Sequence, residues 1–204
     1  MAWKVSLFLL NLIVSVQVFA AHSCDFLSVE EGDAWVAGTK EAVSEIFDSK
    51  LSDAQKLEAT FQMYLEMRLG RLPKELQDKV TDVMMNKLTV EYVPNTDKFI
   101  FHGTYNWHNS RILIRLPESL KNTVGELALR VHELEHAISH LTGFEEISYR
   151  YYRPFAIARQ NWMPEKYAMT SEGTFLLMVP ESARTDALNK VISINASAAI
   201  EKSL

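Results

Sequence analysis

The stretch from Val124 to Leu141 constrains this chain more tightly than any other. Val124, Leu127, Val131, Leu134, Ile138 and Leu141 recur at alternating steps of three and four residues, the period of a helix with one apolar stripe. Thr123 followed three residues later by Glu126 predicts a capping box at its start, and Gly143 predicts its stop, so the helix runs to about Thr142. A helix of about five turns with one apolar stripe must lie against other elements, and the rest of the chain has to supply them.

Those elements are read from local signals. Residues from about Thr39 to Leu88 predict three helices. Ser52 with Gln55 is a capping box, Gly70 suits a left-handed helix end, and Pro73 suits the first turn of a helix from Lys74 to about Lys87. Leu72, Leu76, Val80, Val83 and Met84 form the buried stripe of that last helix. From Thr89 the period changes to strands. Thr89–Val93, the turn 94–97 and Lys98–His102 predict a hairpin, an irregular loop follows, and Arg111–Leu116 is a third strand ended by Pro117. Pro164 begins a helix to about Val179, and Pro180 a last one to about Ile194. The expected fold is α+β and mostly helical: N-terminal helices, a small three-stranded sheet, the helix beginning at Val124, a glutamate-bearing helix and a C-terminal helix.

Composition narrows the function. The chain has 204 residues with a formal net charge of -5, which offers no basic face for a phosphate backbone, so no nucleic-acid partner is expected. Cys24 is the only cysteine, which excludes an intrachain disulfide and any cysteine-rich metal site. Lys4, the mostly apolar run Leu7 to Val16 and the small residues at Val18 and Ala20 predict an export signal at residues 1–20, with residues 21–204 forming a single domain. Asn11 and Gln17 interrupt a run already short of the ~20 apolar residues a span requires, so no membrane span is expected. Ala21-His22-Ser23 lacks the Leu that usually stands three residues before a lipidated cysteine, so Cys24 is expected to carry no lipid anchor. The protein is therefore expected to be exported, to a periplasm or outside the cell.

Within the Val124 helix stands His132-Glu133-Leu134-Glu135-His136, an HExxH sequence. At ~100° per residue the two histidines lie on one face, one turn apart, and both imidazoles can reach a single ion. Glu133 then stands beside that ion, placed to take a proton from a metal-activated water and hand it to a leaving amine. By chance such a sequence arises in on the order of one chain in a hundred of this length, so its helical context is what gives it weight. On a helical wheel His132 and His136 fall roughly 130–170° from the apolar stripe, which predicts core and site on opposite sides of the helix.

Two nitrogens do not complete a zinc site; a third protein ligand is needed, with a fourth position open. Glu165, Ala168 or Met169, and Glu172 share a face of the following helix. Glu165 stands 29 residues after His136 (165 minus 136), enough chain for the first helix to end and a second to return alongside. Glu165 is the first candidate and Glu172 the alternative, with Glu145 and Glu146 ranked behind them. Zn2+ is the expected cofactor.

These residues resemble the gluzincin metallopeptidases over roughly Arg111 to Val179. In that group HExxH supplies two zinc-binding histidines and the catalytic glutamate, and a glutamate on a later helix completes the site. Glu165-Lys166-Tyr167-Ala168 looks like the third-ligand helix of several gluzincins, and Ser171-Glu172-Gly173 like the variant in which glycine follows the ligand. Many relatives with the first pattern carry an acid directly after the Ala, where this chain has Met169. The partner of a ligand histidine is therefore unassigned, with Glu172 and Glu135 as candidates. The resemblance implies a zincin-like fold in which an edge strand pairs with extended substrate, and Arg111–Leu116 occupies the corresponding place in the sequence.

Several other residues lie near this constellation. His140 continues the histidine stripe and is expected to be a helix-end cation, not a ligand. His102 and His108 are candidates to line the cleft, and Tyr149, Tyr151 and Tyr152 to donate to an oxyanion. Asn195-Ala196-Ser197 is a glycosylation sequon to which no role is given. The expected activity is zinc-dependent hydrolysis of peptide bonds in a peptide or protein substrate. The alternative is a catalytically inactive zincin-like metal-binding or scaffold protein. Specificity and oligomeric state are not readable from the sequence.

Overall fold

A computed structural model describes residues 26–94, 102–106, 108–143 and 163–184. The predicted export signal, Cys24, Glu145, Glu146, the three tyrosines between 149 and 152, and the sequon lie outside these residues. Among the described residues the architecture is α+β and mostly helical, with α1 (Val29–Asp48), α2 (Asp53–Gly70), α3 (Lys74–Asn86), β1 (Leu88–Val93), β2 (His102–Asn106), β3 (Arg111–Pro117), α4 (Val124–Leu141) and α5 (Met163–Met178). No helix among them is long and apolar enough to cross a membrane.

Each N-terminal helix begins where its chemistry places it. Helix α1 starts well before the expected Thr39 because Ser28 and Glu31 close a capping box, the Glu31 backbone N–H donating to Ser28 Oγ and the Ser28 N–H to Glu31 Oε2. Ser52 and Gln55 make the predicted second box. Gly70 departs from expectation. It ends α2 within the helix, the cap falls on Arg71 in a right-handed conformation, and the one glycine with positive φ among the described residues is Gly143, after α4. Pro73 is the residue before α3, one position earlier than predicted. Leu72, Val80, Val83 and Met84 are buried, with Leu76 packed partly against them.

Of the predicted hairpin, residues 95–101 lie outside the described residues, and the described β1 and His102 are not paired with each other. The sheet order is β1-β3-β2: β3 pairs in parallel with β1, from Leu88 opposite Ile112 to Val93 opposite Pro117, and antiparallel with β2, from His102 opposite Arg115 to Asn106 opposite Arg111. β1 and β2 are not neighbours, and β2 begins where the predicted second strand ends, inside the expected loop. The reason lies in β3, whose alternate residues Ile112, Ile114 and Leu116 have no exposed surface and form its inward face. The strand with most apolar surface to hide takes the centre, and the more polar segments take the edges. Arg111–Leu116 is therefore the central strand, not the edge strand expected to meet substrate.

Helix α4 is the hub. It packs on α5, α3, α2, β2 and β3, and the predicted stripe faces the core, with Val124, Leu127, Val131, Leu134 and Ile138 at most 5% exposed. Much of the side away from that stripe is covered as well: Glu133, His136 and Ser139 are buried. The polar face of α4 is thus enclosed between α5 and β2. The predicted Thr123 cap is also absent. Glu126 turns instead to accept from the Asn122 N–H and the Tyr92 hydroxyl, and pairs with Arg130. After Pro180 the described chain forms one short 3-10 turn, Glu181–Ala183, and the rest of the expected last helix lies outside the described residues.

Candidate metal centre

Helical spacing sets His132 and His136 side by side on α4, their ring centroids 5.1 Å apart. Helix α5 returns across them, beginning just before Pro164, and its first turn carries Glu165. One carboxylate spans both rings: Glu165 Oε1 lies 3.5 Å from His132 Nε2, and Glu165 Oε2 lies 3.5 Å from His136 Nε2. A ligand atom from each of the three residues falls within 4.8 Å of the other two, so this group can hold a metal ion. The separations carry chemical information. They exceed a good N–H···O hydrogen bond, and they are close to the ~3.3 Å between two ligand atoms each about 2.05 Å from a tetrahedral ion. Two imidazole nitrogens and a carboxylate oxygen are a donor set suited to a borderline divalent transition metal.

Glu172, two turns further along α5, meets the other nitrogen of the same ring. Its Oε2 stands 2.9 Å from His132 Nδ1. That bond fixes the ring orientation and directs Nε2 toward Glu165, which is how carboxylates ordinarily support a metal-binding histidine. The geometry therefore separates the two glutamates that the sequence left as alternatives: Glu165 joins the histidines in the candidate ligand group, and Glu172 stands behind His132. Glu135, the other candidate for that supporting place, points elsewhere and is fully buried against Arg68, with Nε to Oε1 at 2.6 Å and Nη2 to Oε2 at 2.9 Å.

The electrostatics follow from this enclosure. Burial pulls the His132 imidazole down, and the Glu165 and Glu172 carboxylates reverse the effect and push it up to about 10. Burial raises the Glu165 carboxyl, and the two facing imidazoles overcome this and hold it well below the usual carboxylate range. A proton on His132 thus offsets the acids around it.

Glu133 occupies the next position round the helix, 4% exposed, facing β2. The strand passes so near that a β-carbon on Gly103 would fall 2.5 Å from Glu133 Oε1 and 2.9 Å from its Cγ. Two residues along, Tyr105 places its hydroxyl 2.8 Å from His140 Nδ1. His140 is therefore tied to β2 by its side chain, a more specific role than the helix-end cation expected. His108 is exposed, its backbone N–H bonded to Asn106 Oδ1, and the His102 side chain lies outside the described set. Sequence reasoning missed Gly103, although an isolated glycine beside a strand pattern is the ordinary sign of close backbone approach. It also missed the Arg68–Glu135 pair, whose members stand 67 residues apart with no local pattern to join them.

No protein-family model, curated protein or solved structure matches this chain. The functional reading therefore rests on the geometry.

Proposed function

We propose that this protein is an exported zinc-dependent metallopeptidase of gluzincin type, in which His132, His136 and Glu165 hold the ion and Glu133 is the general base. The observation that carries the proposal is the bridging carboxylate of Glu165, 3.5 Å from both histidine nitrogens, beside a glutamate set one helical position from His132. The residues suit the cofactor: the donor set is neutral imidazole plus carboxylate, three protein ligands are at hand, and Glu172 orients one of them. Zinc bound there supplies Lewis acidity, which lowers the pKa of water to about 7 and polarises a carbonyl.

The chain's own groups do the rest. Glu172 keeps His132 turned so that Nε2 faces the ion. Glu133 stands outside the ligand group, and its part in this reading is to accept a proton from the attacking water and to return it to the departing amine. Among the described strands β2 lies at the edge of the sheet beside Glu133, and in this reading extended peptide docks along it, in place of the central β3. Export follows from the leader pattern at residues 1–20.

The test is cleavage of a quenched-fluorescence peptide library by zinc-loaded protein, with and without chelator, beside Glu133→Gln. We expect cleavage that chelation abolishes and readded zinc restores, and a Glu133→Gln rate at least about 100-fold lower with zinc still equimolar. Equal rates for parent and variant would refute the role of Glu133. Stoichiometric zinc with no cleavage of any peptide would favour the metal-binding or scaffold protein.

A further inference from the structure

The enclosure of Glu133 poses a steric question that its proposed role as base does not answer. Glu133 is 4% exposed and lies against the backbone of β2, where a β-carbon at Gly103 would come within 2.5 Å of Oε1, 2.9 Å of Cγ and 3.0 Å of Cδ. Three atoms of one side chain, from the middle of the stem to the carboxylate, thus occupy the space any other residue at position 103 would fill. Gly103 does not owe this to an unusual backbone, since its φ lies outside the left-handed region, and its register opposite Ile114 is that of an ordinary antiparallel pair. Its smallness is what the site uses. Two residues further along the same face of β2, Tyr105 is held to His140, so the strand is anchored beside α4 and is not free to withdraw.

We infer that Gly103 is the positioning residue for Glu133: the bare backbone of β2 forms a wall that sets how far the carboxylate can swing from the His132–His136–Glu165 group. A side chain at 103 pushes Glu133 off this wall toward the ion-binding group, out of the place from which it exchanges a proton. This inference rests on Glu133 being the base, but the contact itself is independent of that role.

The experiment is a double-mutant cycle on the full chain with Gly103→Ala and Glu133→Ala, read by thermal unfolding of chelated protein and by bound zinc after reloading. Gly103→Ala alone should lower the melting temperature by on the order of 5 °C, the effect of overpacking a buried contact. In the Glu133→Ala background, where all three clashing atoms beyond Cβ are gone, the same substitution should cost no more than about 1 °C. Gly103→Ala/Glu133→Asp, which lacks the atoms beyond the shortened carboxylate but keeps Cγ, should recover part of the loss. If Gly103→Ala alone does not accumulate as folded protein, recovery of folded protein in the double variant makes the same point. The cobalt(II)-loaded Gly103→Ala protein should retain equimolar metal, because the ligands are untouched. An equal penalty in both backgrounds would overturn the inference, as would a failure of Glu133→Asp to rescue. Absence of bound metal in the parent would instead refute the metal-centre reading and leave the steric coupling in place.

Discussion

Helix α4 carries two buried polar clusters that differ in how they are closed. Toward α2, Glu135 meets Arg68 through two short bonds, at 2.6 and 2.9 Å, with neither side chain exposed. Toward α5, His132 and His136 each stand 3.5 Å from a Glu165 oxygen, with 8 to 14% of each side chain exposed. The first is a fork-to-fork ion pair whose charges satisfy each other directly. The second brings like-sized donors together at the spacing an ion between them would impose. Nearby residues of one helix thus build a closed ion pair and a group whose spacing could hold a metal ion.

That contrast can be broken most forcefully at the closed pair. Replacing Arg68 with Met leaves the Glu135 carboxylate buried and uncompensated, and should cost about 3–5 kcal/mol of unfolding free energy in denaturant titrations. Arg68→Met with Glu135→Leu should recover most of that cost, because packed apolar groups replace such a pair with little penalty. At the open group the balance reverses. Glu165→Gln should reduce zinc affinity roughly 100-fold or more in a competition titration, since one of three ligands is weakened, while moving the stability of chelated protein far less than Arg68→Met does. Zinc at about 100 times its dissociation constant should stabilise the parent by about 2.7 kcal/mol in thermal or denaturant unfolding, and Glu165→Gln at the same zinc concentration by much less. The smallest effect belongs to the supporting carboxylate. Glu172→Gln should weaken zinc binding about 10- to 100-fold yet leave one equivalent bound at saturation. A Glu172→Gln protein that bound no zinc at saturation would make Glu172 itself a ligand.

How far the sequence anticipates this arrangement depends on whether a signal is local. The apolar stripe of α4, its stop at Gly143 and the one-turn spacing of His132 and His136 are properties of a single helix, and each appears in place. Capping boxes are equally local, and Ser52 with Gln55 behaves as read. Glu165 and Glu172 were legible as a pair on one face of α5, but not their division of labour, which depends on where α5 crosses α4. The sheet failed for the same reason. Val93 and His102 suggest a hairpin by proximity in sequence, yet β3 enters between the two described strands, its inward face of Ile112, Ile114 and Leu116 fully buried at the centre of the sheet. The Thr123 cap was displaced by a tertiary competitor, as Glu126 is drawn to Tyr92 and Arg130. Arg68 and Glu135 could not have been joined by spacing at all.

The most direct measurement is the metal content of protein purified without chelators, before and after equilibration with zinc, beside His136→Ala. One tightly held equivalent per parent chain, and none retained by the folded variant after gel filtration, is the expected result. A parent chain that takes up no divalent metal even from excess zinc, while folded and monodisperse, would contradict a metal centre on α4 and α5.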